Sequence, residues 1–220
     1  MISRKNMKLA VACAAVVTFA GCASVKPVPY SGLRSAPDMT QNKGADARHI
    51  PYEYTSHTTW SRYTQVVIEP VEIYTGIDAQ FADVNGEDQR SLADYMGNTF
   101  SKKLAKRFEV VDVPSPSALR VKLTLTGAKK TTMFLGQFSH IDIGGNLYNG
   151  VQAVSGGRSA FGGFVTYAVE IYDSKTNKLL EAYVSDQYPN AMNFPAAFGA
   201  LGAAKTGLDK GADALVSQLQ

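Results

Sequence analysis

The residue types that most often bind metals or attack bonds are scarce in this chain, which has two cysteines and three histidines. His49 and His57 lie in a stretch without a periodic apolar pattern. His140 is followed two residues later by Asp142, which provides half of a metal site. No Cys, His or Glu stands at ligand spacing from this pair. We therefore predict neither a metal nor any other cofactor.

A Gly-rich stretch at 144–163 contains seven glycines and one charged residue, Arg158. It lacks the Gly-Lys-Ser/Thr ending of a phosphate-binding loop. Ser159 follows Gly157 as in a nucleophile elbow, but the second glycine is missing and a strand, not a helix, comes next. We predict no catalytic residue. The stretch is either a flexible connection or a contact region, in which His140, Asp142 and Arg158 are the candidate ligand or partner contacts.

The first 22 residues have the composition of an export signal. Arg4, Lys5 and Lys8 precede an uncharged apolar run of 12 residues at 9–20, and Gly21-Cys22 follow. The run is too short to span a bilayer, which needs about 20 residues. Its length and basic flank are typical of a secretory signal peptide, which we place at 1–21.

The end of this run, Phe19-Ala20-Gly21-Cys22, resembles the lipobox of bacterial lipoprotein precursors. The resemblance implies cleavage between Gly21 and Cys22, with a diacylglycerol on the Cys22 thiol. Two or more acyl chains hold a protein durably on a membrane. Ala23 and Ser24 follow with no Asp, which resembles an outer-membrane address facing the periplasm. The alternative is ordinary secretory cleavage near the same position.

The basic balance of the precursor comes from this signal. Residues 1–21 hold three of the 22 basic residues and no acidic residue, which leaves 19 basic against 19 acidic residues. A neutral mature chain gives no support for nucleic-acid binding, which usually needs a basic surface. Cys13 would leave with the signal and Cys22 would hold lipid, so we expect no disulfide and a core held by packing.

Beyond Cys22, residues 22–60 are rich in Pro, Ser, Thr and Gly and have no apolar period, so we predict a lipidated Cys and tether there. We expect some of the tether's aromatic residues to dock on a single domain at 61–220. Apolar periodicity in that domain predicts five strands and two helices. The strands are 64–74, 108–113, 119–126, 161–172 and 179–187, and the helices are 86–107 and about 195–219.

This order predicts an α+β fold, with a mainly antiparallel sheet of about five strands and two helices packed on one face. The last helix has a row of small residues at four-residue spacing, which allows close approach to another surface. The row is either a self-association or partner face, or a packing face for the chain's own sheet. Its members are Gly199, Ala203, Gly207 and Gly211.

Several segments together are similar to a group of bacterial lipoproteins called domain of unknown function 3313. They are the lipobox, Tyr30-Ser-Gly-Leu33, Val67-Ile-Glu-Pro-Val71, Glu170-Ile-Tyr-Asp-Ser-Lys-Thr-Asn177 and the Gly/Ala-rich final helix. The similarity covers most of the mature chain and implies an envelope lipoprotein with no established activity. It transfers no functional residue beyond Cys22.

These observations lead to two functional expectations. The first is a non-enzymatic binding or assembly module in the periplasm, attached to the membrane by its N-terminal lipid and acting with an envelope protein partner. The second is an envelope hydrolase or small-ligand-binding lipoprotein with a pocket near 127–160. The first predicts that loss of the anchor abolishes function while the domain stays folded.

Overall fold

A computed structural model describes residues 26–131, 162–188 and 199–220. These residues form nine strands, two α-helices and a 3-10 turn at Trp60–Arg62. The strands are β1 (Thr40–Gln41), β2 (Tyr52–Thr55), β3 (Gln65–Ile68), β4 (Glu72–Ile73), β5 (Gln80–Phe81), β6 (Glu109–Val110), β7 (Ala118–Lys129), β8 (Phe164–Asp173) and β9 (Leu179–Gln187). The helices are α1 (Gly86–Leu104) and α2 (Gly202–Gln218).

All described strands belong to one mixed sheet with the order β1-β2-β9-β8-β7-β3-β6, and β4 and β5 also pair with β7. β7, β8 and β9 are antiparallel neighbours, as are β1, β2 and β9. In contrast, β3, β4 and β5 run parallel to β7. The α+β class is confirmed. The prediction of a mainly antiparallel sheet of about five strands is wrong.

The parallel half of the sheet arises from the connection through α1. A strand that returns parallel to an earlier one needs a long crossover, and α1 lies between β5 and β6 in the chain. Alternation of apolar and polar residues in 119–126 indicates a half-buried strand but does not specify the direction of its neighbours. Four of the strands are two residues long, too short for a periodic pattern to detect.

The strand predicted at 64–74 is divided into β3 and β4. Pro70 lies between the two strands. Proline has no backbone N–H to donate to a neighbouring strand, so it interrupts the hydrogen-bond ladder there. The chain nevertheless stays beside β7, since the backbone N–H of Glu69 donates to Val121 O at 3.0 Å and that of Tyr74 donates to Leu125 O at 2.9 Å.

Helix α1 begins as the sequence predicts. The side chain of Asn85 accepts a hydrogen bond from the backbone N–H of Asp88 at 2.9 Å, which satisfies one of the free donors of the first turn. Glu87 and Asp88 lie in that turn and Lys102 and Lys103 in the last, a distribution that complements the helix dipole.

Both helices pack on one face of the sheet, as predicted. The core there is formed by the apolar side of α1, by β7 and β8 residues such as Leu123 and Tyr167, and by α2 residues such as Leu208 and Leu215. Phe100 and Tyr167 meet edge to face with their ring centroids 5.7 Å apart. Burial of these aromatic and aliphatic side chains is the main stabilising contribution to the fold.

The opposite face of the sheet is covered by residues that we predicted as tether. Tyr30, Leu33 and Met39 are buried against Ala182 and Val184, and β2 pairs with β9. The folded part therefore begins well before residue 61. The predicted boundary fails because the apolar residues of this segment are spaced irregularly, although each one finds a buried position on the sheet.

The row of small residues on α2 faces the chain's own sheet. Ala203, Gly207 and Gly211 are buried. A Cβ at Gly207 would stand 2.8 Å from Gln187 Cβ and 2.9 Å from Val165 Cγ1, so only glycine permits this approach. Gly199 precedes the helix and has φ of +80°. For the three helical residues, the structure supports the packing interpretation rather than a self-association face.

One end of the sheet gathers several chain segments, and we call it the Lys129 end. Lys129 pairs with Phe164 there, and Thr131 N–H donates to Ala200 O at 2.8 Å. The first described residue also lies at this end, because Gln80 Nε2 donates to Lys26 O at 2.7 Å and Gln80 pairs with Gly127. Among the described residues, no helix combines the length and apolarity needed to cross a membrane.

Candidate functional site

The residues predicted from the sequence to be a lipidation site or ligand contacts lie outside the described ranges. Gly21 and Cys22 precede residue 26, and His140, Asp142 and Arg158 fall between 131 and 162. Their roles, and the pocket that they would form, stay predictions. Within the described residues, no group of three or more His, Cys, Asp or Glu side chains could hold a metal ion.

The structure brings together two carboxyl groups on the helix-covered side of the sheet, where no sequence motif indicates a site. Thr55 of β2 pairs with Glu181 of β9, and Glu53 pairs with Tyr183. Glu53 and Glu181 are therefore diagonal neighbours on one face. Gln218, at the end of α2, donates its Nε2 hydrogen to Glu181 Oε1. We call Glu53, Glu181 and Gln218 the Glu181 site.

The electrostatics of this site favour a protonated carboxyl. Glu181 is 5% exposed. The pKa of Glu181 is raised to about 7, first by burial and then by the negative charge of Glu53, while the hydrogen bond from Gln218 acts in the opposite direction. Burial, followed by the charge of Asp46, also raises the pKa of Glu53. Two like charges in a poorly solvated place disfavour simultaneous ionisation.

A carboxyl with a pKa of about 7 can accept or release a proton under physiological conditions. A catalytic acid or base also needs reach to a substrate or a nucleophile. The contacts of Glu181 are instead an amide on α2 and a second carboxyl on β2. This geometry suits a proton-dependent contact between three elements of the fold.

A second buried carboxyl, Glu170 on β8, lies on the opposite face and is 1% exposed. Its Oε1 accepts from the backbone N–H of Ser35 at 2.9 Å and from Tyr172 Oη at 3.0 Å. Burial, together with the charge of Glu170 and this hydrogen bond, raises the pKa of Tyr172, so the phenol keeps its proton and donates. Glu170 thus binds the N-terminal segment to the sheet.

The turn between β8 and β9 has a structural role. Asp173 Oδ1 accepts from Thr176 N–H at 2.9 Å, and Oδ2 accepts from Tyr63 Oη at 2.9 Å. Burial alone would raise the pKa of Asp173, but the hydrogen bonds from Thr176 and Tyr63 outweigh it and the pKa is lowered. Asn177 has φ of +58°, which closes the turn. Asp173 therefore joins the hairpin to the 3-10 turn.

These observations define a mixed-sheet α+β domain whose buried carboxyl groups connect parts of its own fold. The chain belongs to the family described as protein of unknown function DUF3313, whose model matches residues 29–215. The match begins seven residues after Cys22, in agreement with a folded part that includes the N-terminal segment. The predicted resemblance to domain of unknown function 3313 is therefore confirmed.

No curated protein matches the chain in sequence. Solved structures with partial similarity include the PelC dodecamer from Paraburkholderia phytofirmans, with 11% identity, a TM-score of 0.40 and coverage of 73% of this chain and 94% of that chain. Protein XCC0632 from Xanthomonas campestris has 11% identity and a TM-score of 0.36, with coverage of 74% and 88%. The hypothetical protein CT253 from Chlamydia trachomatis has 11% identity and a TM-score of 0.37, with coverage of 71% and 97%. Similarities of this degree support no statement about function.

Proposed function

We propose that this protein is a lipid-anchored lipoprotein of the cell envelope, whose α+β domain serves as a non-enzymatic binding or assembly module. The anchor is a lipid on Cys22, and the location is the outer membrane, with the domain in the periplasm. The observation that carries the proposal is the N-terminal sequence. A basic segment, an uncharged apolar run and Phe19-Ala-Gly-Cys22 come immediately before the domain.

The described part of the domain supports the non-enzymatic half of the proposal. Glu170, Asp173 and Glu181 are buried carboxylic acids, and each one is hydrogen-bonded to another segment of the same fold. Their chemistry is thus used to hold the domain together. The edge strands β1 and β6 are two residues long, a feature that limits uncontrolled pairing with other sheets.

The anchor is tested by metabolic labelling with an alkyne analogue of palmitate, followed by membrane fractionation. Wild-type protein is expected to incorporate the label and to sediment with membranes, whereas Cys22→Ala loses both properties. Cys13→Ala is the matched control, because it removes the other cysteine of the chain and leaves the lipobox intact. Labelling that survives Cys22→Ala, or that is missing from wild-type protein, would contradict the anchor.

The partner is tested by cross-linking in intact cells and mass spectrometry of the purified adducts. One dominant envelope protein is expected with wild-type protein and with Cys13→Ala, and its loss is expected with Cys22→Ala. Circular dichroism of Cys22→Ala checks that the domain stays folded. If a folded wild-type protein gives no reproducible adduct in repeated experiments, the assembly role is refuted.

A further inference from the structure

The position of the first described residues fixes where the domain is attached. Gln80 Nε2 donates to Lys26 O at 2.7 Å, and Pro27 is buried. Cys22 precedes Lys26 by four residues. Four extended residues span at most about 14 Å. If Cys22 holds the lipid, as the proposed function requires, Lys26 lies within that distance of the lipid attachment point.

The residues that follow Lys26 are hydrogen-bonded to the domain. The domain therefore cannot move away from Lys26, and its separation from the lipid is limited by the four residues between Cys22 and Lys26. The backbone N–H of Ser31 donates to Asp78 Oδ2 at 2.9 Å, and the backbone N–H of Gly32 donates to Tyr74 Oη at 2.9 Å. Tyr74 Oη donates in turn to Asp78 Oδ1 at 2.6 Å. The connection 74–79 between β4 and β5 therefore clamps the start of the folded chain.

The same connection presents an unusual surface residue. Ile77 is 104% exposed, which means that its side chain contacts nothing in the described fold. A single exposed aliphatic residue needs no explanation by itself. Here, however, it stands one residue from Asp78, which binds Ser31. Lys26, whose backbone is bound by Gln80, is also exposed. An exposed aliphatic side chain on the segment that holds the start of the folded chain, together with the exposed Lys26, suits the boundary between acyl chains and anionic headgroups.

We propose that the connection 74–79 is the membrane-facing surface of the domain, and that Ile77 enters the headgroup region of the bilayer to which Cys22 is anchored. This inference rests on the proposed lipid anchor. It assigns an orientation, in which the Lys129 end of the sheet is near the lipid and the start of β7 points away. The occupant of this surface is a lipid bilayer, because the chain leaves no more than about 14 Å between the two.

The far end of the sheet offers a matched control. Val113 is also an exposed aliphatic residue, at 72% exposure. It lies near the start of β7, since Ser115 O accepts from Ala118 N–H at 3.1 Å. The connection 74–79 lies beside residues 125–127 of β7, seven to nine residues beyond Ala118, so the two sites are separated by roughly 25 Å along the strand at about 3.3 Å per residue.

The test uses the full lipidated protein in vesicles of phosphatidylethanolamine and phosphatidylglycerol. Cys13 leaves with the signal and the Cys22 thiol is acylated, so Ile77→Cys and Val113→Cys each supply one reactive thiol for a fluorophore. We expect headgroup-bound nitroxide lipids to quench the label at position 77 several-fold more than the label at position 113. Soluble iodide should give the opposite order.

Equal quenching at the two positions, or stronger lipid quenching at position 113, would overturn the orientation while leaving the anchor intact. Failure of the anchor has a separate signature. In that case the parent protein without a new cysteine does not float with the vesicles, and any molecule that retains Cys22 takes up the fluorophore at its free thiol, which overturns the proposed function and this inference with it. Circular dichroism of both labelled variants confirms that the fold is retained.

Discussion

Replacement of Glu181 by Gln removes a buried carboxyl group whose pKa is raised to about 7. Gln is close in size to a protonated Glu and keeps a partner for the Gln218 amide at the end of α2. It cannot ionise beside Glu53. The side chain of Glu181 is 5% exposed and poorly solvated. The substitution therefore measures the free-energy cost of ionising this carboxyl group in the folded protein.

The magnitude follows from the pKa of Glu181. The gap between the ordinary value of 4.5 and about 7 in the fold corresponds to about 3 kcal/mol, since each pKa unit is worth about 1.4 kcal/mol. The folded state binds the proton more tightly than the unfolded state does. The stabilising contribution of the protonated carboxyl is therefore complete below pH 4.5 and is lost as the pH rises through about 7.

We expect Glu181→Gln to have the same stability as the parent protein at about pH 4 and to be more stable by up to about 3 kcal/mol at about pH 8. Both chains carry Cys22→Ala so that they are soluble, and their unfolding in urea is followed by circular dichroism. The difference between the two chains at each pH cancels the titration of all other groups. Glu53→Gln is the control, because removal of its charge lowers the pKa of Glu181 and should recover only part of the gain.

A Glu181→Gln protein that is no more stable at about pH 8, or whose advantage is the same at both pH values, would refute this reasoning. The first result would mean that Glu181 is well solvated or is paired with a cation when charged. The second would mean that the gain comes from packing. If Glu53→Gln is no more stable than the parent protein at the higher pH, the charge of Glu53 does not raise the pKa of Glu181, and burial alone accounts for the shift.

Three further substitutions test the packing and the caps by the same urea unfolding. Gly211→Ala places a methyl group on the Tyr167 hydroxyl and should cost about 3 kcal/mol; a neutral result would show that α2 can move away from the sheet. Asn85→Ala removes the α1 cap and should cost about 1 kcal/mol, whereas Asn85→Ser should restore most of it. Tyr63→Phe removes the hydrogen bond to Asp173 and should cost about 2 kcal/mol at neutral pH but less below the pKa of that carboxyl; a loss that does not depend on pH would contradict the bond.

The parts of the fold that the sequence predicts well are those encoded by neighbouring residues. Helix α1 repeats its buried residues at three- and four-residue spacing, and Asn85 marks its start. Strand β9 has the predicted bounds, Leu179–Gln187, because the preceding turn contains Asp173 and Asn177, whose side-chain bonds and left-handed backbone close it locally.

The parts of the fold that the sequence does not predict depend on residues far apart in the chain. Val66 and Leu119 are aligned in parallel strands with α1 between them, and no local pattern specifies that direction. The Glu181 site joins residues from β2, β9 and α2, and each carboxyl in isolation looks like an ordinary strand residue. Glu170 does give a local signal, since a charged residue interrupts the apolar side chains of β8, but its partner Ser35 lies in the segment predicted as tether.

The N-terminal segment that covers the second face of the sheet also limits how far an anchor at Cys22 would let the domain move from the membrane. A free tether of thirty-odd residues would average on the order of 30 Å and let the domain tumble above the membrane. The structure holds the chain from Lys26 onward, through Gln80, Asp78 and finally the buried Glu170. Under the proposed anchoring, the domain therefore stays within about 14 Å of its lipid and keeps one end toward the bilayer. A protein partner would then have to approach within one domain length of the same membrane, a geometry that favours a membrane-bound complex over a freely diffusing ligand.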